Sequence, residues 1–194
     1  DSLRPLAERF SARDHRLYLV GGSVRDLLLG GDRLPEDLDF TTDARPEAVL
    51  ALLDGFAETT WDVGIRFGTV GARIHGREVE ITTYRAEQYD TESRKRQGDF
   101  GHSLQEDPVR RDFTINAMAI RLPDLAFVDL FDGQEDLTAG VIRTPGTPHD
   151  SFMDDPLRMM RAARFAAQLG FEVAPDVVVA MSAQAERLSI VSAE

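Results

Sequence analysis

The sequence predicts an α+β fold in which a strand-containing part is followed by helices. Short apolar or alternating segments bounded by glycine, such as Leu17 to Val20, recur through the first part of the chain and predict strands. Pro145-Gly146-Thr147-Pro148 is the clearest linker signal. Beyond it, residues 151–169 predict one helix that ends at Gly170. We therefore expect a sheet before the linker and helices after it.

The composition permits one large domain or two small ones. The chain has 194 residues, of which 42% are hydrophobic, and this is enough to bury a core. It contains no cysteine, which excludes a disulfide framework and a thiolate metal site. The N-terminal residues lack the pattern of a secretory signal, and no apolar stretch approaches the roughly 20 residues of a membrane span. We expect a cytoplasmic protein.

The formal net charge of -12 counts against binding of nucleic acid by bulk electrostatic attraction. Any contact with nucleic acid must then be made by local clusters of basic residues. Three such clusters occur, at Arg94-Lys95-Arg96, at Arg110-Arg111, and at Arg158, Arg161 and Arg164. Each cluster is a candidate contact, and the alternative is that it balances a neighbouring acidic patch.

A glycine turn follows the first predicted strand. Gly21-Gly22 separates Leu17 to Val20 from a short predicted helix, Ser23 to Leu29. The start of a helix exposes unpaired backbone N–H groups and a partial positive charge, which suit a phosphate. Arg25 in the first turn can grip phosphate oxygens through two hydrogen bonds. The pattern predicts a phosphate-binding turn, although glycine is also used in such turns for its backbone freedom alone.

Two aspartates stand two residues apart in the next strand-like segment. Asp37-Leu38-Asp39-Phe40 alternates polar and apolar side chains, so both carboxylates project from one face. Like charges this close repel each other, and a divalent cation removes the repulsion. Mg²⁺ is commonly held by one or two carboxylates together with substrate phosphates. We predict a magnesium site at Asp37 and Asp39, with an exposed strand lacking any ligand as the alternative.

Glu80 is a candidate third carboxylate. In the predicted strand Glu78 to Tyr84, alternation places Glu80, Thr82 and Tyr84 on the face opposite Val79 and Ile81. Glu80 is thus either a catalytic carboxylate beside the aspartates or a solvated strand residue. Residues 86–107, which follow, are polar and lack periodicity, and they predict a long functional or mobile loop.

Charged and amide side chains also occur in an apolar segment further along. Arg111, Asp112 and Asn116 are costly to bury without partners, which indicates a polar network or a nucleotide contact. In the predicted helix beyond the linker, Arg158, Arg161 and Arg164 recur every three residues. They therefore lie within roughly 120° of arc along one side of that helix.

Four motifs in this order resemble one family. They are GGSVRD at 21–26, DLD at 37–39, RRDFTINA at 110–117 and DDPLRMMRAARFAAQLGF at 154–171. Together they are similar to the class II CCA-adding tRNA nucleotidyltransferases and bacterial poly(A) polymerases, within the polymerase-β-like nucleotidyltransferase superfamily. The resemblance covers residues 17 to about 190. The segment from Arg143 to Phe171 is more similar to CCA-adding enzymes, in particular to those of actinobacteria.

The resemblance implies the domain organisation. The family has a head domain with a five-stranded, mostly antiparallel sheet and flanking helices, followed by an all-helical neck, body and tail. Residues 1–145 correspond to the head, which is the catalytic domain, and residues 146–194 to the start of the neck. The body and tail, which engage tRNA in the family, are absent from this sequence.

The resemblance also assigns roles to individual residues. Nucleotide phosphates would be bound by the glycine-turn motif, namely Gly21, Gly22, Ser23 and Arg25. Asp37 and Asp39 would hold Mg²⁺, and Glu80 is their candidate catalytic partner. Arg111 would contact the nucleotide, with Asp112 near its ribose.

The base-selecting residues come from the motif at the start of the neck. Asp155 and Arg158 would hydrogen-bond the edge of the base and so select C or A. Arg161 and Arg164 would contact phosphate or stabilise the site. The family motif has Glu where this chain has Asp154, a difference of one methylene outside the two base-reading positions.

The implied reaction is template-independent addition of CCA to the 3′ end of tRNA from CTP and ATP. The tRNA 3′-hydroxyl attacks the α-phosphorus and expels pyrophosphate, with two Mg²⁺ ions holding the reacting oxygens. CC-only addition, A-only addition and poly(A) synthesis remain open within the same fold. A non-catalytic nucleotide- or RNA-binding module is the alternative of a different class.

Overall fold

The computed structural model describes residues 3–31, 35, 37–62, 64–65, 68–83, 85–86, 99–100 and 111–190. Most of the predicted loop at 86–107 lies outside the described residues. The chain groups into two compact units, residues 1–107 with 119–128 and residues 108–118 with 129–194. The division into a head and a neck after residue 145 stays a prediction.

Within its described residues, the first unit contains three α-helices and most of the strands. Its helices are α1 (Arg4–Ser11), α2 (Gly22–Leu28) and α3 (Pro46–Leu53). Its strands are β1 (Leu17–Val20), β2 (Asp37–Thr42), β3 (Thr59–Trp61), β4 (Thr69–Ile74), β5 (Arg77–Thr83), β6 (Arg85–Ala86), β7 (Asp99–Phe100), β8 (Ala119–Leu122) and β9 (Phe127–Val128).

Within the described residues, the main sheet has seven strands in the order β3-β4-β5-β2-β1-β8-β9. The pair β2–β5 is parallel and every other pair is antiparallel. The α+β class and the mostly antiparallel sheet are therefore confirmed. The count of five strands is wrong, because the short strands β3 and β9 extend the sheet at its two edges. Strands of two or three residues are too short for a period-two pattern to identify.

Buried side chains cover one face of this sheet, and a separate buried cluster that includes Val20 lies on the other face. Leu19, Phe40 and Ile81 are register partners across β1, β2 and β5, and none of them is more than 2% exposed. Helix α1 contacts β1, and helix α3 contacts β4 and β5. Because side chains alternate along each strand, burial of this row leaves the neighbouring row, which includes Asp39, on the other face.

A tight hairpin sets the register of β4 against β5. His75 and Gly76 have φ of 52° and 75°, the left-handed conformation of a two-residue turn that matches strand twist. Ile74 consequently pairs with Arg77, and three pairs further along, Gly71 lies opposite Glu80. The turn therefore decides which β4 residue lies beside the candidate catalytic carboxylate.

The second unit is mainly helical. It contains a 3₁₀ turn (Thr114–Asn116), α4 (Gly133–Ala139), β10 (Val141–Ile142), α5 (Pro148–Asp154), α6 (Leu157–Leu169), β11 (Glu172–Val173), α7 (Pro175–Gln184) and a 3₁₀ segment (Ala185–Ile190). Strands β10 and β11 pair in parallel. Phe152, Met159 and Val177, none more than 2% exposed, join α5, α6 and α7 in one hydrophobic cluster. None of the helices in the described ranges is both long and apolar enough to cross a membrane.

The single helix predicted over residues 151–169 is wrong, because two helices occupy this stretch. Asp155 separates them in an extended conformation, with φ of −145° and ψ of 101°. Proline disfavours the helical conformation in the residue before it, and Pro156 follows Asp155. The Asp155 carboxylate then accepts a hydrogen bond from the backbone N–H of Leu157 at 2.9 Å. The predicted end of the second helix at Gly170 is confirmed, with φ of 69°.

Candidate active site

Asp37 and Asp39 open strand β2 and project from its solvent-facing side. Both are exposed, whereas Leu38 and Phe40 between and after them are each 1% exposed. This is the alternation predicted from the sequence. Two carboxylates thus share one face at the beginning of a strand whose other face is anchored in the core.

Glu80 joins the two aspartates through the parallel pairing of β2 with β5. Asp39 is the register partner of Glu80, and Asp37 is the register partner of Glu78. Partial burial raises the pKa of Glu80, and the negative charges of Asp39, Asp37 and Glu78 raise it further. Glu78 is itself paired with Arg73 Nη2 at 2.9 Å. The remaining carboxylates form a concentration of negative charge that favours a cation.

The residues present fit a divalent cation by their chemistry. Every donor is a carboxylate oxygen, the ligand type that Mg²⁺ prefers. Asp37 and Asp39 would hold the ion. Across the described part of the chain, no group of three or more His, Cys, Asp or Glu side chains is arranged to hold a metal ion. The catalytic role of Glu80 therefore stays a prediction.

The glycine turn emerges beside these carboxylates. Val20 at the end of β1 pairs with Asp39, so the next residue, Gly21, leaves the sheet next to β2. Gly21 has φ of 75° and ψ of −149°, a region open essentially to glycine alone. Helix α2 begins at Gly22, one residue before the predicted start, and the Ser23 hydroxyl donates to the Asp37 carbonyl at 3.5 Å. The structure thus brings the predicted phosphate-binding turn together with the carboxylate pair of Asp37 and Asp39.

Arg25 lies against the backbone of the same turn. Its side chain is 11% exposed, and its Nε donates to Asp26 Oδ1 at 2.8 Å. A Cβ on Gly22 would lie 3.3 Å from Arg25 Nη2, so glycine at this position leaves room for the guanidinium. A cation held at the start of a helix can bind phosphate oxygens together with the exposed N–H groups.

In the second unit, the buried carboxylate of Asp112 forms an ion pair with the partly exposed Arg161. Asp112 is 7% exposed, and its Oδ2 accepts from Arg161 Nε at 2.7 Å. Its Oδ1 accepts from the Phe113 N–H at 2.8 Å and from Asn116 Nδ2 at 3.0 Å. The sequence predicts either a polar network or a nucleotide contact in this segment, and the polar network is present. A contact of Asp112 with a ribose stays a prediction, as does nucleotide binding by the half-buried Arg111.

Arg158 contacts a residue that the sequence analysis did not identify. Its Nη1 donates to the hydroxyl of Ser151 at 2.9 Å, and Ser151 is 8% exposed. Residues seven positions apart on one continuous helix are separated by about 10 Å along its axis. The helix break at Asp155, which the sequence pattern did not predict, brings Ser151 and Arg158 into contact. Arg164 instead lies over the ring of Phe165, with its Cζ 5.0 Å from the ring centroid. Arg158 thus contacts Ser151, whereas Arg161 contacts Asp112 and, with its Cζ 5.5 Å from the ring centroid, shares Phe165 with Arg164.

A second buried carboxylate in this unit was also missed. Asp136 in α4 is 8% exposed and accepts from the Thr114 hydroxyl at 2.7 Å and from Arg143 Nε at 3.2 Å. A Cβ on Gly133 would overlap the Thr114 carbonyl, so α4 packs closely on the 3₁₀ turn. These contacts join the segment that carries Asp112 to the helices that follow. Nothing in the local pattern around Asp136 distinguishes it from a surface residue.

Comparison with known sequences identifies relatives over nearly the whole chain. The sequence profile of the Poly A polymerase head domain matches residues 17–143. The CCA-adding enzyme of Levilactobacillus brevis is 43% identical over 192 residues, which are 98% of this chain and 47% of that protein. The CCA-adding enzyme of Lactobacillus helveticus is 44% identical over 191 residues, 98% of this chain and 46% of that protein. Similarity to actinobacterial members stays a prediction.

Solved structures agree with the sequence relatives. The CCA-adding enzyme of Bacillus stearothermophilus in complex with CTP superposes with a TM-score of 0.84 at 38% identity, covering 97% of this chain and 44% of that one. A tRNA nucleotidyltransferase complexed with a primer tRNA and an incoming ATP analog has a TM-score of 0.74 at 33% identity, covering 95% and 51%. The chain spans about half the length of the curated relatives it matches. It belongs to the poly(A) polymerase head-domain family, together with these CCA-adding enzymes.

Proposed function

We propose that this chain carries the nucleotidyltransferase part of a CCA-adding enzyme, which adds C, C and A to the 3′ end of tRNA from CTP and ATP. The observation that carries the proposal is the placement of the glycine turn beside Asp37 and Asp39 in one unit. A phosphate-binding turn and a carboxylate pair on adjacent strands suit transfer of a nucleotidyl group. Relatives at 42–44% identity bear the name CCA-adding enzyme, which supports tRNA as the acceptor.

In the proposed reaction, the triphosphate lies against Gly21, Gly22, Ser23 and Arg25. The 3′-hydroxyl of the RNA attacks the α-phosphorus, forming a new phosphodiester bond and releasing its proton to solvent. The bond between the α-phosphorus and the bridging oxygen breaks, and pyrophosphate leaves with its negative charge beside Arg25 and the N–H groups of α2. The nucleophile belongs to the RNA, so the protein needs no nucleophilic side chain.

Asp37 and Asp39 would hold two Mg²⁺ ions, with Glu80 as a candidate partner. When bound, the ions supply positive charge that offsets the negative charge developing on the reacting oxygens. The carboxylates position that charge at the start of β2, next to the triphosphate turn.

We further propose that Asp155 and Arg158 select the base through hydrogen bonds to its edge. Ser151 holds the Arg158 guanidinium, and Asp112 holds that of Arg161. A guanidinium that is already held by a partner loses less conformational entropy when the nucleotide binds, and its fixed orientation favours selective hydrogen bonds to the base. Arg111 and Arg164 would contribute contacts to nucleotide or phosphate. The proposed location of the protein is the cytoplasm.

The test is nucleotide addition by the purified full-length enzyme that contains this chain to a tRNA transcript that lacks CCA, with CTP and ATP supplied separately and together. Three added nucleotides with both substrates support CCA addition. Arrest after two C residues, or addition of A alone to a CC-ended transcript, identifies a CC-only or A-only enzyme. Processive extension of a poly(A) primer, with the tRNA left untouched, identifies a poly(A) polymerase. Binding of CTP with no extension of any primer identifies a binding module.

A further inference from the structure

Trp61, the one tryptophan of the sequence, lies in the same transverse row of the sheet as the carboxylates. It pairs with Gly71 across β3–β4, Gly71 pairs with Glu80 across β4–β5, and Glu80 pairs with Asp39. Residues directly opposite each other on neighbouring strands project from the same face. Trp61 is therefore on the face that carries Asp39 and Glu80, although it is remote from both in sequence.

Gly71 allows the indole to lie across the intervening strand. A Cβ on Gly71 would overlap Nε1, Cε2 and Cδ1 of Trp61, so the ring occupies the space directly above the Gly71 backbone. Gly71 separates Trp61 from Glu80 in this row, and the ring thus covers the strand that borders the carboxylates. The side chain stays partly exposed. An aromatic surface is consequently available to solvent beside the candidate catalytic face.

The triphosphate turn lies on the other side of the carboxylates. Gly21 follows Val20, which pairs with Asp39 on the β1 side, whereas Trp61 is reached from Glu80 through β4. In an in-line displacement, the attacking oxygen approaches opposite the leaving group. If pyrophosphate leaves toward the turn, the RNA 3′-hydroxyl approaches from the side of Trp61. This step rests on the proposed function.

We propose that the Trp61 indole contacts the 3′-terminal nucleoside of the RNA acceptor and positions its 3′-hydroxyl over Asp39 and Glu80. Stacking on an aromatic ring tolerates any base, because every base has a π-face. This tolerance suits an acceptor that ends in the tRNA's own last base before the first addition and in C before the next two. Trp61 is thus a contact for the acceptor RNA, distinct from the residues proposed to bind the incoming nucleotide.

A purely structural role for Trp61 makes a different prediction. An aromatic side chain over a glycine on the neighbouring strand also stabilises the edge of a sheet. Loss of that packing would lower thermal stability and raise the KM for CTP and the KM for tRNA to the same extent. A selective change in the KM for tRNA separates the two roles.

The experiment measures KM for a tRNA transcript lacking CCA and KM for CTP with wild type, Trp61→Ala, Trp61→Phe and Phe127→Ala. The tRNA KM is expected to rise about tenfold in Trp61→Ala, with the CTP KM changed by less than about twofold. Trp61→Phe keeps an aromatic ring and is expected to stay within about threefold of wild type. Phe127 is an exposed aromatic on β9, at the opposite edge, and its replacement is expected to change neither KM.

Thermal melting checks that each variant is folded at the assay temperature. Should Trp61→Ala be unfolded there, Trp61→Leu, which is apolar but not aromatic, replaces it with the same expected result. An unchanged tRNA KM, or equal increases in both KM values, overturns the inference while leaving CCA addition intact. Absence of nucleotide addition by the wild-type protein contradicts the proposed function itself, before any variant is compared.

Discussion

Asp39 of β2 and Glu80 of β5 are register partners in the parallel strand pair at the centre of the sheet. The pairing places their carboxylates on one face, and the negative charge of Asp39 contributes to the raised pKa of Glu80. Without a bound cation, this arrangement does not stabilise the folded protein, because like charges on neighbouring strands repel. We therefore expect these residues to reduce the stability of the metal-free protein and to serve catalysis.

Replacement of either aspartate should abolish nucleotide addition without unfolding the protein. Asp39→Ala is expected to lower kcat/KM for CTP by at least about 10³-fold, the scale seen when transition-state charge loses its stabilisation. Its melting temperature should not fall, because Asp39 is exposed and repelled by its neighbours. Asp124→Ala is the control, since its exposed carboxylate pairs with Arg121 in the β8–β9 hairpin. Comparable loss of activity in both variants would contradict the assignment.

The raised pKa of Glu80 predicts a specific dependence of stability on pH. Burial first, then Asp39, Asp37 and Glu78, makes the folded protein hold this proton more tightly than the unfolded chain does. Deprotonation of Glu80 therefore opposes folding, and the contribution of Glu80 to stability falls as pH rises from the ordinary glutamate pKa through the raised value.

Thermal melts of wild type and Glu80→Gln in EDTA, from acidic to neutral pH, test this dependence. The variant should gain stability relative to wild type as pH rises, and Mg²⁺ at neutral pH should narrow the gap by offsetting the negative charge. A difference that is constant across the pH range would show that neither burial nor the neighbouring carboxylates raise the pKa of Glu80 in the folded protein.

The ion pair between Asp112 and Arg161 should be energetically coupled. Asp112→Ala and Arg161→Ala are each expected to lower the free energy of unfolding by about 2 kcal/mol, because Asp112 is buried and hydrogen-bonded. The double variant should show a coupling of about 1–2 kcal/mol in urea denaturation. Arg161 is 38% exposed, which keeps these values below those of a fully buried pair.

Arg164→Ala is the comparison for this cycle. Arg164 is exposed and lies over Phe165, so its loss should cost no more than about 1 kcal/mol. Additive effects of Asp112→Ala and Arg161→Ala would contradict the coupling.

Arg158 and Ser151 should act together on base choice. Arg158→Ala is expected to reduce the preference for CTP over UTP and GTP by about tenfold or more, with a smaller effect on triphosphate affinity. Ser151→Ala leaves the guanidinium in place but removes its 2.9 Å partner, so it should relax base choice in the same direction by about threefold. Competition assays with labelled nucleotides and a tRNA acceptor measure both ratios. Equal losses for all four nucleotides would remove the base-selecting role.

Gly22 should be required for triphosphate binding because Arg25 packs against it. Gly22→Ala places a Cβ 3.3 Å from Arg25 Nη2, and the displaced guanidinium is expected to raise the KM for CTP by about five- to tenfold. Gly146→Ala is the matched control, since a Cβ there meets nothing within 4 Å. A KM unchanged in Gly22→Ala would show that the position of Arg25 does not govern triphosphate binding.

Several features of the site were predictable because they depend on local chain properties. Alternation along a strand places Asp37 and Asp39 on one face, and the glycine at position 21 meets a backbone conformation that other residues rarely adopt. The break at Asp155 is also a local effect, because Pro156 disfavours the helical conformation of the residue before it, although the residues on either side follow a helical pattern.

The sequence by itself determined the class of the fold, the shared face of the two aspartates and the glycine turn, since these follow from the conformational preferences of adjacent residues. Only the tertiary structure decided that Glu80 lies beside Asp39, that Trp61 covers Gly71 and that Arg161 holds Asp112. Each of these contacts depends on strand order, register or helix packing between distant segments. Period and composition carry no information on such pairings, because many registers satisfy the same local pattern.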